Sequence, residues 1–578
     1  MKEKKIIENK EKKEKKKLGK RRWVILFLFL VPFLYYLWTG IRYALYEPEL
    51  SDNFFWVAYH VHSSLSDGLE SPEEILSSAQ KARISLILLN DHGSPNLLSS
   101  KLRMKLKDVY LVGGSEASLP EGRLNFFGAK TFTHFKLPPY PPEAIQDIRD
   151  WGGFTVLAYP EDPKNRWNYW EDDLLPDGIE IINASTEFRR LSLGALVKTL
   201  LYYPFSPYYF LKNLKRPEFS LQAWDELLRR GKVFGFFASN AHGGFKLGKK
   251  LRIKIPSYES SFLLLSLGIR KERKDSLESS VRGGDFFSCV RGAGEPQEFE
   301  FYARDNEKIF YPGSDLHSEA DLYVKVSSKK YKCKIVLKKD GEKVGEETSG
   351  ELYLKKIKDG TYRAEVYLLE HPFLPQDVPW IISNPIFKGK LFSVPLVKER
   401  KASRMLPLDL SSLRVEKDES SEASYKIFKD CALLDFHLGG KNRSEEEHWC
   451  ALALRSKIDL SLYEGIYFRG SSDQLLRFWV ELRSGKDWYF ASLKLNPGRE
   501  NRVQIPFDRF YRINGGRERP PLKDIDSLFI TFNTSNLEPG VSGRLCIREM
   551  GFFEEEMDES EGFKDYQENM ILFRKVKR

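Results

Sequence analysis

The stretch FFWVAYHVHSSLSDG, residues 54–68, is an apolar strand that ends in two histidines. Alternation along an extended chain points His60 and His62 to the same face. Two imidazoles side by side at a strand end are a ready pair of metal ligands. Asp67 follows in Ser66-Asp67-Gly68, a turn signature that aims a carboxylate back at the strand end. The spacing then predicts a helix over Glu73–Arg83, with Ser71 as N-cap and Pro72 at its first position.

Working outward, the same design repeats. ISLILLNDHGSP (84–95) is an apolar run fit for a buried parallel strand, and it ends in Asp91-His92. VYLVGGSEAS (109–118) reads as a strand carrying Glu116, and GGFTVLAYP (152–160) as one ending at Tyr159-Pro160. GIEIIN (178–183) and KVFGFFASNAHGG (232–244) supply two more, the last ending in Asn240-Ala241-His242. Strands alternating with helices, with polar residues at their carboxyl ends, predict an α/β barrel. A single histidine at a strand end is most often structural. Here four of only nine histidines fall at such ends, in step with Asp67 and Glu116, and that joint pattern favours a metal site.

The order of these motifs resembles the polymerase and histidinol phosphatase (PHP) domain, a superfamily of metal-dependent phosphoesterases on a distorted β/α barrel. The resemblance rests on His60-x-His62, Ser66-Asp67-Gly68, Asp91-His92, Gly114-Ser115-Glu116, Ala158-Tyr159-Pro160 and Ser239-Asn240-Ala241-His242. Trp224-Asp225-Glu226-Leu227-Leu228 adds a likeness to the membrane-associated and secreted branches. Three positions depart from the family pattern. Arg123 and Tyr159 stand where it has histidines, and Asn240 where it has an aspartate. The resemblance therefore implies that an ion held by Glu116 with positions 123 and 159 is lost, leaving at most two. His60, His62, Glu116 and Asn240 would hold one, and Asp67, His92 and His242 the other, with Glu116 as a bridge. Mixed imidazole and carboxylate donors suit divalent Mn, Fe or Zn over Mg. Asp91 is expected to orient a ligand. Arg123 is expected either to clamp a phosphate oxygen or to pair with Glu116. The implied activity is hydrolysis of a phosphomono- or phosphodiester, on an envelope glycan or lipid head group. The alternative is a catalytically impaired PHP-fold protein that binds the envelope or a carbohydrate.

The chain has 578 residues and a net charge of +10. Its first 22 residues hold 12 Lys and Arg against 4 Glu, and the other 556 hold 80 basic against 78 acidic groups. The positive excess is thus a short tail on a nearly neutral body, which argues against a nucleic-acid partner. After that tail, WVILFLFLVPFLYYLW (23–38) is uncharged, with tryptophan at both ends. Extended to about residue 45, it is predicted to be a single membrane-spanning helix in contact with the lipid bilayer. The positive-inside rule puts the basic tail (1–22) in the cytoplasm and the main body outside. The apolar, aromatic Leu193–Lys215 reads as a core helix with a proline-broken end; the alternative is a hydrophobic wall or a stretch that dips toward the bilayer carried by the anchor.

The expected organisation is α/β plus all-β: the tail and anchor (23–45), a PHP-type barrel (50–258), then two β-sandwich domains. The first (259–390) is marked by alternating runs and Asp-Gly turns, and it resembles the sandwich that follows PHP domains in extracytoplasmic members. Polar 391–424 reads as a linker. Residues 425–556 resemble the galactose-binding-like jelly roll of the complex I intermediate-associated and carbohydrate-binding-module groups, and a charged tail (557–578) follows. Trp479, Trp488 and Tyr489 are the candidate sugar-stacking residues, with Phe507, Phe510 and Tyr511 as further aromatics. The five cysteines have no finger spacing. One pair, Cys431–Cys450, is available in an oxidising compartment.

Overall fold

A computed structural model of the protein describes residues 28, 30–131, 136–171, 173–247, 251–272, 275–390, 402–440, 447–513 and 515–555. The basic tail and the charged C-terminal tail lie outside the described residues. Of the expected span, residues 30–44 are described as a helix, α1. No helix among the described residues is long and apolar enough to cross a membrane.

The first histidine-bearing strand is β1 (Phe54–Val61), which pairs in parallel with β2 (Ile84–Leu89). Between them runs α2 (Pro72–Lys81), started by a reciprocal cap. Ser71 Oγ accepts from the Glu74 amide, and the Glu74 carboxylate accepts from the Ser71 amide. Ile75, Leu76 and Ala79 share its buried face. After Asn90 the chain resumes as β3 (Asp91–His92), which has changed partners and pairs with β6 (Gly114–Leu119). Helix α3 (Leu97–Ser100) and strands β4 (Arg103–Leu106) and β5 (Val109–Val112) lie between. VYLVGGSEAS is therefore two strands broken at Gly113, with β5 in the sheet of β2 and β6 in the second sheet.

From β6 the ring continues through β7 (Gly122–Phe127) and β8 (Phe154–Ala158), both antiparallel to their predecessors, with α4 (Pro141–Asp150) between them. β9 (Gly178–Asn183) and β10 (Phe234–Ala238) follow in parallel. Helices α5 (Ala184–Arg189), α6 (Leu193–Tyr202) and α7 (Glu218–Arg230) separate them, and α8 (Tyr258–Leu264) comes after. The ring closes where the Ala241 amide donates to His60 O (3.0 Å) and the His62 amide to Ala241 O (2.9 Å). Two antiparallel steps and the break after Asn90 make this a distorted barrel.

The expected boundary at 258/259 falls inside α8, and one continuous sheet joins the strands on either side of it. Ser266–Arg270 pairs with β1, then with Phe287–Cys289, which pairs with Ile381–Ser383. One buried core runs from the barrel into the following β unit, which adds a four-stranded sheet led by Glu298–Arg304 and Asp321–Ser327. The last unit is a sandwich of two six-stranded sheets around its own core. Much of the predicted linker belongs to it. Ala402–Pro407, Arg414–Lys417 and Glu422–Ile427 are edge strands, where charged residues block further pairing. Cys431 is disulfide-bonded to Cys546, not to Cys450, which is buried and free.

Candidate metal centre

His60 lies at a bulge. The β1–β2 register shifts between Tyr59 and Val61, and His60 takes a left-handed φ of 61°. Tyr159 (φ 55°) and Asn240 (φ 45°) share this uncommon conformation just past the ends of β8 and β10. Backbone strain of this kind clusters at functional sites. Gly68 is required for the approach of the Asp67 turn, because a Cβ there would meet His62 O at 2.4 Å.

The predicted ligands converge into two groups that share His62: His60, His62 and Glu116 in one, and His62, Asp67, His92 and His242 in the other. The His62 ring stacks on that of His242 with centroids 4.2 Å apart, and stands 5.1 Å from that of His60. His60 Nε2 is 3.8 Å from Glu116 Oε1, and His62 Nε2 is 3.7 Å from Glu116 Oε2. His242 Nε2 and His92 Nε2 lie 3.4 and 3.3 Å from the Asp67 oxygens. Separations of 3.7–3.8 Å are too long for hydrogen bonds. They fit two donors, each about 2.0–2.1 Å from a shared ion. His60 Nε2, both ring nitrogens of His62, Glu116 Oε1 and Asn240 Oδ1 are buried without a hydrogen-bond partner. Buried polar atoms are rarely left so, and a cation in their midst would satisfy the lone pairs among them, including the one that a neutral His62 ring carries. The donors present therefore fit divalent metal ions.

The two groups differ in access. His60, His62 and Glu116 have fully buried side chains, whereas the Asp67 side chain is 53 % exposed. The centre thus opens toward solvent through the second group. Burial, reinforced by His242 and His60, pushes the His62 pKa well down, so its ring is neutral and able to ligate. Burial also opposes charge on His92, but Asp67 and Glu116 outweigh it and raise that ring to about 9. Asp67 and Glu116 are in turn held below their usual carboxylate ranges, despite burial, chiefly by hydrogen bonds from His242 and His92 to Asp67 and from His92 to Glu116.

Behind this layer sits a carboxylate that sequence reasoning missed. Glu180, fully buried in the middle of β9, accepts from His60 Nδ1 at 2.6 Å. The same oxygen takes the Asn125 amide (3.3 Å), while the other takes the Tyr159 amide (3.1 Å) and Asn183 Nδ2 (2.8 Å). With Nδ1–H committed to Glu180, the Nε2 lone pair of His60 faces Glu116. This is the carboxylate–histidine arrangement that orients metal ligands. The available signal was a charge inside an otherwise apolar strand, GIEIIN.

Asp91 does not touch a ligand ring. It accepts from the Ser63 amide (2.7 Å), Ser63 Oγ (2.8 Å) and Ser66 Oγ (2.6 Å), and so braces the loop that presents Asp67. Arg123 makes no ion pair with Glu116. Its guanidinium donates to Ser118 Oγ, although its charge still lowers the Glu116 pKa. The Tyr159 hydroxyl accepts from Asn240 Nδ2 at 2.7 Å, and its ring lies beneath the Arg189 guanidinium. In the sandwich, Tyr489 is 3 % exposed and belongs to the core, as do Phe507 and Phe510, while Tyr511 is buried in the core of the barrel; burial removes all four from sugar stacking. Trp479 and Trp488 lie on the opposite face, packed on Phe490 and Phe529. That sheet leans on the barrel, with Arg477 paired to Asp147 and Lys494 to Asp147 and Asp150.

No family model matches the chain. It is 28 % identical over 142 residues to an uncharacterized protein of Methanocaldococcus jannaschii, an alignment covering 22 % of this chain and 80 % of that protein. Among solved structures, a two-domain protein containing a predicted PHP-like metal-dependent phosphoesterase from Bacteroides vulgatus matches 59 % of this chain and 98 % of its own. The identity is 13 % and the TM-score 0.28. A family 11 carbohydrate-binding module from Clostridium thermocellum matches 26 % of this chain and 96 % of its own, at 18 % identity and a TM-score of 0.21.

Proposed function

We propose that the protein is a membrane-anchored, metal-dependent phosphoesterase that hydrolyses a phosphomono- or phosphodiester. The observation that carries this reading is the convergence of His60, His62 and Glu116 with their buried donor atoms unsatisfied and about one ion's width apart. The order of motifs around those residues, which resembles the PHP superfamily, supplies the reaction class. Divalent ions bound there would polarise a phosphoryl oxygen and acidify a water.

The chain's own residues divide the remaining work. Glu180 fixes the tautomer and direction of His60. The fully buried Glu116 lies within reach of both His60 and His62 and is the natural bridge between the two groups. Asp67, His92 and His242 stand at the solvent side, where a phosphate would enter. The membrane part of the reading is supported by α1, whose Phe33, Leu34, Tyr35, Trp38 and Ile41 are more than half exposed. Residues 23–45 would cross the bilayer once, with the main body outside the cytoplasm.

The test is metal analysis of the full-length chain in detergent, paired with hydrolysis of p-nitrophenyl phosphate and bis-p-nitrophenyl phosphate in the presence of Mn, Fe or Zn. The expected result is bound metal and turnover, both lost in His60→Ala/His62→Ala. A folded chain that binds no metal, or turns over neither ester with any of the three ions, would leave in its place the catalytically impaired protein that binds the envelope or a carbohydrate.

A further inference from the structure

Helix α6 is built inside out. Leu193, Val197, Leu200 and Leu201 recur at the spacing of a single helical face, which in a soluble domain faces the core. Here that face is outward, at 77, 46, 54 and 50 % exposure. The one buried residue of the helix is Thr199, whose hydroxyl accepts from Asn213 Nδ2 at 3.0 Å. The core helix expected from the sequence is thus absent, and an apolar stripe faces the surroundings. Patches of this kind mark contact with another apolar phase.

The neighbour of α6 is α1. Thr39 and Gly40 are the points of contact. The Thr39 hydroxyl lies 2.9 Å from that of Tyr202, and a Cβ on Gly40 would collide with the Phe205 ring at 2.6 Å. The Tyr36 hydroxyl donates to Leu201 O, and its ring packs edge-on against Phe205. The exposed apolar surfaces of the two helices therefore adjoin. Where α1 ends, cations sit on aromatic rings: Arg42 over Trp38 at 5.0 Å, and Lys212 over Tyr43 at 4.7 Å. Aromatic and basic side chains placed together are characteristic of the lipid head-group level. α6 also leaves the barrel from the rim that carries the ligands, since α5 begins directly after Asn183 at the end of β9.

We infer that α6 is a second membrane contact, lying in the head-group/acyl boundary with Leu193, Val197, Leu200 and Leu201 in lipid. It seats the barrel against the bilayer beside the point where α1 emerges. The inference rests on the anchor reading, because an α1 outside the membrane would leave α6 beside no bilayer.

The experiment reconstitutes the full-length chain in phosphatidylcholine/phosphatidylglycerol vesicles, with a nitrobenzoxadiazole label on Leu200→Cys or, in a second variant, Leu193→Cys. Cys289, Cys333 and Cys450 are buried, so labelling is confined to the introduced thiol. A label on Leu462→Cys, 77 % exposed in the sandwich, is the aqueous control. Retention on vesicles after an alkaline wash reports the anchor separately. The expected result is retention, with blue-shifted emission and loss of fluorescence in brominated-acyl lipid for labels at 193 and 200 but not at 462. Retention with labels at 193 and 200 behaving like that at 462 overturns the α6 contact and leaves the anchor standing. A blue shift without bromine quenching also overturns it, in favour of a second copy of the chain covering α6. Loss of the chain on washing removes the anchor, and the α6 contact with it.

Discussion

Replacing Glu180 by glutamine tests whether His60 is a metal ligand oriented from behind. The carboxylate receives four donors, two on each oxygen: His60 Nδ1 and Asn125 on one, the Tyr159 amide and Asn183 on the other. Glutamine keeps only one acceptor oxygen. Whichever way its amide turns, an NH2 group meets two other donors. If the oxygen stays with His60, the Tyr159 and Asn183 donors are repelled. If it turns away, His60 loses the hydrogen bond that fixes its tautomer. Losing an outer partner of this type weakens metal binding about 10–100-fold, or about 1.4–2.7 kcal/mol. Calorimetric titration of Mn or Zn into the metal-stripped full-length variant should show that loss at one class of site. Glu180→Asp, which keeps both acceptors on a shorter stem, should recover part of it. Stability will also fall, since a buried unsatisfied group costs about 1–3 kcal/mol. The informative readout is therefore the affinity of the fraction that remains folded. Unchanged affinity and stoichiometry in folded Glu180→Gln would refute the assignment of His60 as an oriented ligand.

Other perturbations separate the remaining parts. Asp67→Asn should remove metal from the solvent-facing group and spare the buried one, so elemental analysis should find a lower metal content that is not zero. Glu481 is 7 % exposed, and burial raises it to about 7. Unfolded, it releases its proton near 4.5, so the folded sandwich loses stability as pH rises from there through about 7. At pH 8 the loss is fully present, at about 3 kcal/mol. Glu481→Gln should accordingly melt higher than wild type at pH 8 and no higher at pH 4.5; a pH-independent difference would contradict the burial argument. Cys431→Ser opens a cross-link between residues 115 apart in sequence and should cost about 2–5 kcal/mol of sandwich stability, read by denaturant unfolding under oxidising conditions.

The parts of this structure that were legible in the sequence are those where one physical cause governs the pattern. The apolar runs of β1, β2 and β10 announce buried strands because nothing else tolerates such composition, and the polar residues that stop them lie at one rim because the strands are parallel. His60, His62, Asp67, His92, Glu116 and His242 were findable for that reason. Where two causes leave the same pattern, the sequence is silent. The stripe on α6 has the same period whether it faces a core or lipid, and only its burial distinguishes them. Charged residues 402–427 look alike as linker and as edge strand. Tyr489 and Trp488 are neighbours, and alternation alone assigns them to opposite faces without naming the inner one. The inner face is marked by the phase of Tyr489 with Ala491, Leu493 and Leu495.

Spatial pairing is the part no linear pattern carries, and it changes the meaning of the departures from the PHP pattern. Taken one by one, Tyr159 is a lost ligand and Asn240 a weaker one. In the fold they meet, with Asn240 Nδ2 donating to the Tyr159 hydroxyl at 2.7 Å and Arg189 closing over the ring. Burial raises the Tyr159 pKa well above that of an ordinary phenol, so the ring stays neutral and spends its hydroxyl on Asn240. A neutral phenol and an amide thus stand together where the resemblance implies a histidine and an aspartate. Their mutual bond pairs the amide NH2 with the phenol oxygen and leaves Asn240 Oδ1 without a partner. That oxygen joins His60 Nε2, the ring nitrogens of His62 and Glu116 Oε1, which also lack partners. A reduced centre, closed on the Tyr159 side and still open at Asp67, accounts for both the paired substitutions and the orphaned ligands.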